Sequence, residues 1–362
     1  MAVGAAGGLA PRAPPRQRSR VSDAADQTPP DLPAFGWSTA YGDQQRPDEA
    51  ALCPMRVATV HRTKVTAISP AGAVRLWLPA AAMAHDLAVG DWVLVDADSH
   101  VLARRLDRQS LLQRRTEGGQ APQLIAANVD TLFIVTSCNA DFNPARLERY
   151  LALANEAGTR PVIVLTKADT VTDAESYADR ARALQRGLDV VTLNAKAADA
   201  ALALRPWCGF GQTVALVGSS GVGKSTLLNT LAALDGDSRQ ATGTIREDDA
   251  KGRHTTTARS LHAIAGGGWV IDTPGIRTLH VSDVAAGLDQ LFAEITELAP
   301  LCRFRGCTHT HEPGCAVIAA ADSGALDQDR LDRWRKLRDE NAVNTPVATG
   351  PRGNKRPPGR RR

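Results

Sequence analysis

Val214-Ala-Leu-Val-Gly-Ser-Ser-Gly-Val-Gly-Lys-Ser-Thr-Leu-Leu-Asn-Thr-Leu231 reads as a buried strand, a glycine-rich turn and the opening of a helix. Its centre, Gly218, Ser219, Ser220, Gly221, Val222, Gly223, Lys224 and Ser225, fits the pattern G-x-x-x-x-G-K-[ST]. Glycines at these places let consecutive backbone N–H groups curl around an anion at the positive end of a helix, which Thr226 continues. Lys224 is expected to neutralise β- and γ-phosphates, and the Ser225 hydroxyl to ligate Mg²⁺. The surrounding texture is α/β. Continuous apolar runs at 131–136, 162–165, 190–193 and 269–271 alternate with helical patterns such as 144–157 and 174–185. Buried parallel strands with crossover helices are the natural reading.

Further motifs flank the loop. Asp272-Thr-Pro-Gly275 closes the run 269–271. An aspartate there is expected to hold a Mg²⁺-bound water, and Gly275, lacking a Cβ, lets its N–H approach a γ-phosphate. Upstream, one strand runs into Thr166-Lys167-Ala168-Asp169 and the next into Asn194-Ala195-Lys196. A carboxylate such as Asp169 accepts the N1–H and N2 amino protons of guanine. Adenine would leave it unpaired, so such a site discriminates strongly. The turn at 194–196 is expected to offer a backbone N–H to guanine O6. The chain has seven lysines, and Lys167, Lys196 and Lys224 stand in these three motifs. Residue scarcity therefore argues against coincidence. Thr166 replaces a commoner asparagine that also ties the base loop to the phosphate loop, so moderate nucleotide affinity is expected.

Short β-type runs at 56–60, 73–78, 91–95 and 101–105, separated by turn residues, suggest a small barrel, an OB-fold ahead of an SH3-like alternative. Past 290 the pattern breaks into Cys302-x₄-Cys307-x-His309-x₅-Cys315, with His311 as a rival ligand. Three thiolates and an imidazole make a closed, structural zinc site, and so compact a segment lacks the apolar mass to fold unaided. A basic helix follows around 331–340, then an acid-free cationic tail at 351–362.

The base-reading half precedes the phosphate-reading half, with a barrel before and a zinc segment after. In this the chain resembles the RsgA (YjeQ) family of bacterial circularly permuted ribosome-biogenesis GTPases, over about 55–340. The implied fold is α/β: a circularly permuted P-loop GTPase domain flanked by an N-terminal OB-fold β-barrel and a C-terminal zinc-binding, α-rich domain. The expected division is a disordered arm at 1–50, the barrel at 51–118, the GTPase domain at 119–285, the zinc domain at 286–342 and a basic disordered tail at 343–362. The family's Cys-x-His spacing favours His309 over His311. Gly252-Arg-His-Thr-Thr-Thr257 matches its first switch, where Thr256, with Thr255 as alternative, would ligate Mg²⁺ when the γ-phosphate is present. Ile276 stands where many GTPases carry a water-orienting glutamine. Intrinsic hydrolysis should therefore be slow, and His254 is the candidate water-positioning group.

The resemblance further implies docking on the 30S subunit through 16S rRNA in the GTP state, and hydrolysis to GDP stimulated by that subunit late in its maturation. One structural Zn²⁺, Mg²⁺ with GTP, a monomer and no membrane partner are expected. An RNA-binding assembly factor using GTP as a structural ligand is the alternative; a P-loop kinase or ATPase is a third reading, which Asp169 opposes. Composition agrees. A hydrophobic fraction of 43% with 23% charged residues excludes a wholly disordered or fibrous chain. No apolar run approaches the roughly 18 residues that span a bilayer. Six cysteines are too few for a disulfide scaffold in a chain of 362 residues, which favours a reducing, cytoplasmic setting. The net charge of +4 is modest, so a polyanion partner is inferred from the barrel, the zinc module, the basic residues clustered on the helix (Arg330, Arg333, Arg335, Lys336, Arg338) and the cationic tail. Only 4% aromatics argues for shape and phosphate contacts over base stacking.

Overall fold

A computed structural model describes residues 31–61, 64–114, 122–197, 199–232, 259–273 and 281–345. Among the expected features, the switch stretch 252–257 with His254, Thr255 and Thr256 lies outside the described residues. So do Gly275, Ile276 and the cationic tail.

The first short helix, α1 (Thr39–Gly42), leads into five strands: β1 (Cys53–Val60), β2 (Val65–Ser69), β3 (Gly72–Leu76), β4 (Trp92–Val95) and β5 (Leu102–Arg105). β1 pairs with β2 and β4, β2 with β3, and β4 with β5, all antiparallel. A parallel bridge from Trp77 to Val101 joins the end of β3 to the start of β5. The circuit closes as β1-β2-β3-β5-β4-β1, the connectivity of an OB-fold barrel. Met55, Val57, Val65, Ala67, Val93 and Val95 fill its interior, as the period-2 alternation of its strands requires.

A hairpin of β6 (Leu111–Arg114) and β7 (Gln123–Ala127) links the barrel to the α/β region. It straddles 118/119, so the expected domain boundary cuts through a paired unit. There follow β8 (Thr131–Ser137), α2 (Pro144–Glu156), β9 (Arg160–Thr166), α3 (Ala174–Arg182), β10 (Asp189–Thr192), α4 (Ala200–Leu204), β11 (Thr213–Gly218), α5 (Lys224–Ala232), β12 (Arg259–Ala263) and β13 (Trp269–Asp272). The order across the sheet is β10-β9-β8-β11-β13-β12. All neighbours are parallel except β12, which is antiparallel to β13. Every residue of β8 and β11 is buried, which explains their unbroken apolar runs. The parallel strands deliver the loops after β9, β10, β11 and β13 to one sheet edge, where open α/β sheets bind ligands.

Two features depart from expectation. β12 also pairs with β1, through Thr59–Ser260 and Val60–Arg259, so barrel and α/β region share one continuous sheet. The supposedly structureless arm is ordered over residues 31–50. Trp37 packs edge-on against Trp92 at 4.8 Å, Tyr41 joins them, and Phe35 stacks on Trp269 at 5.1 Å. A Pro/Ala-rich composition concealed three aromatic anchors, whose burial offsets the ordering entropy. The fully buried Arg56 holds this joint together. Its guanidinium donates to Phe35 O, Asn128 O and the Thr213 hydroxyl, uniting segment, barrel and β11.

The remaining helices are α6 (Ala285–Leu291), α7 (Ala293–Leu298), α8 (Ala316–Asp322) and α9 (Gln328–Asn344). α9 runs past the expected tail boundary at 343. Its arginines are not the free cationic face the sequence suggested. Arg330 and Arg333 bond Glu148 of α2, which is fully buried, and Arg330 also reaches Glu294. Arg335 and Arg338 donate to the carbonyls of His309 and Thr308. Arg335 and Arg338 also pair with Asp332 and Asp339 of α9 itself, so much of the helix's positive charge is met by acids, of which Glu148 and Glu294 come from neighbouring elements. Among the described residues no helix is long and apolar enough to cross a membrane.

Candidate active site and metal centre

The phosphate loop leaves β11 at Gly218, whose φ of +142° no L side chain adopts readily. A Cβ there would lie 2.1 Å from the Val135 carbonyl oxygen, so the loop can turn over β8 only with glycine. Gly221 and Gly223 also have positive φ, and α5 starts at Lys224. The Lys224 ammonium donates to the Ser219 carbonyl across the loop. Ser219, Lys224, Ser225 and Thr226 are half-buried, while Ser220 and Gly221 are exposed.

The chain at Thr166 and at Ala195 meets this loop directly. The Thr166 hydroxyl, 1% exposed, lies 2.6 Å from the Val222 carbonyl and 3.1 Å from that of Thr136. Thr166 therefore performs the tie that its departure from asparagine had placed in doubt; a hydroxyl suffices because the Val222 carbonyl is within its shorter reach. Gly223 packs against both loops, its Cβ position 3.6 Å from Thr166 Oγ1 and 3.8 Å from Ala195 Cβ. Thr230 of α5 adds a second tie, donating to the Ala195 carbonyl at 3.1 Å. Nothing in the sequence pattern singled out Thr230, because a threonine inside an amphipathic helix carries no distinctive signal.

Lys167 has a φ of +57°, which turns the chain sharply out of β9 and into the exposed turn bearing Asp169. The Thr170 hydroxyl donates to the Lys167 carbonyl at 2.7 Å and braces that turn. The Lys196 N–H donates to Asn194 Oδ1 at 3.0 Å, closing a tight turn with the buried Ala195 at its middle. Thr166, at the end of β9, and Ala195, in the turn after β10, thus stand against the phosphate loop, with Asp169 three residues beyond the first. The arrangement can take a purine nucleotide with its base at one end and phosphates at the other.

On the opposite flank, Asp272 ends β13, and the buried Thr273 hydroxyl donates to the Leu216 carbonyl of β11. This anchors the start of the Asp-Thr-Pro-Gly motif to the phosphate-loop strand. His262 of β12 bonds the Ser260 hydroxyl at 2.7 Å. Burial pushes its imidazole below the ordinary range, against the upward pull of Asp272. The Ser225 hydroxyl and the Asp272 carboxylate are oxygen donors of the kind that Mg²⁺ prefers.

The cysteine-rich segment brings Cys302, Cys307, His309 and Cys315 together, with their ligand atoms all within 4.8 Å of one another. Cys302 and Cys315 sulfurs are 3.8 Å apart, and His309 Nδ1 lies 3.5 and 3.3 Å from them. A tetrahedral ion with metal–sulfur bonds of about 2.3 Å separates two sulfurs by roughly 3.75 Å, so this donor set fits zinc. The Ala316 and Ile318 N–H groups point at the Cys302 and Cys315 sulfurs, which favours thiolates. His311 is turned to the Thr310 hydroxyl instead.

Residues 105–282 match the family model described as RsgA GTPase. The chain is 66% identical over 338 residues to the small ribosomal subunit biogenesis GTPase RsgA of Mesorhizobium japonicum, covering 93% of this chain and 98% of that one. It is 47% identical to the small ribosomal subunit biogenesis GTPase RsgA 2 of Vibrio vulnificus, over 86% and 88% of the two chains. Among solved structures, YjeQ from Thermotoga maritima aligns with a TM-score of 0.59 and 25% identity, covering 80% of this chain and 98% of that one. YloQ, described as a circularly permuted GTPase, aligns in fold with a TM-score of 0.58 at 24% identity, over 83% and 99%.

Proposed function

This chain belongs to the RsgA family of GTPases and hydrolyses GTP, and from that premise we propose that it acts on the small ribosomal subunit late in its maturation. It docks as a cytoplasmic monomer on 16S rRNA in its GTP state; the subunit then stimulates hydrolysis to GDP and phosphate, and the protein leaves. The names of its relatives support the choice of partner.

The observation that carries the site assignment is the 2.6 Å contact between the Thr166 hydroxyl and the Val222 carbonyl, which joins motifs separated in the chain. Asp169 accepts the guanine N1–H and N2 amino protons, with Thr166 and Lys167 shaping its loop, and the Asn194–Lys196 turn faces O6. Backbone N–H groups of 218–225 cradle the phosphates, Lys224 neutralises them, and Thr226 carries the helix on behind. Ser225 and, in the GTP state, Thr256 would hold Mg²⁺, Asp272 would support it through water, and the Gly275 N–H would meet the γ-phosphate. The ion supplies charge neutralisation at the β- and γ-phosphate oxygens. Ile276 cannot hydrogen-bond, so His254 positions the attacking water. Cys302, Cys307, His309 and Cys315 hold a single structural zinc ion.

The test is GTP turnover with and without purified 30S subunits, in wild type, Lys224→Ala and His254→Ala. Stimulation lost in Lys224→Ala, with ATP failing to compete, supports the reading. Turnover that stays slow with subunits present, or equal use of ATP, refutes it. Unchanged stimulated kcat in His254→Ala removes that histidine from the mechanism.

A further inference from the structure

One hydroxyl binds the turn after β10 to the helix behind the phosphate loop. Thr230 Oγ1 lies 3.1 Å from the Ala195 carbonyl and 3.0 Å from the Thr226 carbonyl one helical turn back, so its single proton is shared between them. A carbonyl inside a helix has a backbone donor as well. The Ala195 carbonyl has no other donor among the described residues. The N–H of the same peptide unit, that of Lys196, donates to Asn194 Oδ1 at 3.0 Å. A planar peptide unit gripped at both its oxygen and its hydrogen cannot turn freely.

Ala195 is 6% exposed, and its methyl lies 3.8 Å from where a Cβ on Gly223 would stand. Its own N–H belongs to the preceding peptide unit and meets no acceptor among the described residues. Backbone amides of buried residues are nearly always paired, so an unpaired one marks a place for an acceptor from outside the chain. α5 begins at Lys224, the lysine of the phosphate loop. The hydroxyl that steadies this turn therefore rides on the helix that closes the opposite end of the nucleotide site.

We propose that Thr230 is a positioning residue for base discrimination: it fixes the Ala195–Lys196 peptide so that the Ala195 N–H points at the six-position oxygen of guanine. The proposal rests on the guanine-nucleotide reading above. Two devices then read the edge of the base separately. Asp169 takes the N1–H and the 2-amino group, whereas the Ala195 amide takes O6. A nucleotide altered only at position 6 should feel the loss of the Thr230 hydroxyl less than GDP does, because its contact with the amide is already weak. One altered only at position 2 should feel it as much as GDP.

The experiment measures Kd for GDP, IDP and 6-thio-GDP in full-length wild type, Thr230→Val and Thr230→Ser. IDP lacks only the 2-amino group; 6-thio-GDP carries sulfur, a weak acceptor, in place of O6. Thr230→Val keeps the shape of the side chain without its hydroxyl, and GDP and IDP should each bind it about tenfold more weakly. 6-thio-GDP should lose less than about threefold, so the preference for GDP over 6-thio-GDP shrinks. Its retained binding certifies that the variant is folded. Thr230→Ser, which keeps the hydroxyl, should bind all three like wild type. GDP affinity within about twofold of wild type in Thr230→Val, an equal loss for 6-thio-GDP, or an equal loss in Thr230→Ser would each overturn the proposal. Equal binding of GDP and 6-thio-GDP by the wild-type protein would overturn it too. A wild-type protein that binds ADP as well as GDP would instead mark failure of the underlying guanine reading.

Discussion

Replacing Thr166 by valine probes the join between the two halves of the nucleotide site. Valine preserves the shape of the side chain and removes only the hydroxyl, at a position 1% exposed. The Val222 carbonyl, 2.6 Å from that hydroxyl, then loses its donor. Leaving a buried acceptor unpaired costs about 1–3 kcal/mol. The free protein can relax the loop to recover part of this. A bound nucleotide, which needs base loop and phosphate loop together, cannot. A loss of about 1–2 kcal/mol in binding corresponds to roughly 5- to 30-fold in Kd. Titration with a fluorescent GDP analogue measures it directly, and Thr166→Ser, which keeps the hydroxyl, should bind like wild type. A Thr166→Val protein with a Kd within about twofold of wild type would refute the argument. So would an equal loss in Thr166→Ser.

Two other outcomes are expected. Glu148→Ala leaves Arg330, with its side chain 9% exposed, partly uncompensated between α2 and α9. Breaking a buried pair in this way costs about 3–5 kcal/mol, visible as a lower urea midpoint followed by tryptophan fluorescence. A change below about 1 kcal/mol would mean that Glu294 and solvent compensate the guanidinium. The second outcome concerns pH. Hydrogen bonds from Arg104 hold the Glu49 carboxyl down at about 2, against an ordinary value of 4.5. Because the folded value is depressed, its contribution is complete above pH 4.5 and fades as pH falls towards 2. Protease sensitivity of the 31–50 segment should rise over that acid window in wild type and be flatter in Glu49→Gln; identical profiles would remove the pair from the argument.

Much of the α/β core was legible because its strands carry the signal that burial on both faces imposes: unbroken apolar runs ending in loops of fixed chemistry. The phosphate loop was equally plain, since Gly218 has a steric reason to be glycine. What escaped the sequence depends on pairing partners. β12, Arg-Ser-Leu-His-Ala, has no apolar run, and only its two neighbours make it a strand. Glu148 offered a faint sign, a carboxylate beside Leu147 and Leu151 on the buried face of α2. Burial pushes its carboxyl up while Arg333 and Arg330 pull it down. Its arginine partners lie far along the chain, so α9 reads as a polyanion-binding helix until the fold brings Glu148 to it.

The β1–β12 ladder bears on how this protein can be dissected. Deleting the barrel to obtain a minimal catalytic fragment would strip β12 of its outer neighbour and bare a row of its amide and carbonyl groups. Such an edge invites pairing with other chains. Sluggish turnover or clumping in that fragment would then report an exposed seam, not a lost RNA contact. A cleaner dissection substitutes surface residues on the barrel and leaves Thr59, Val60, Arg259 and Ser260 in their ladder.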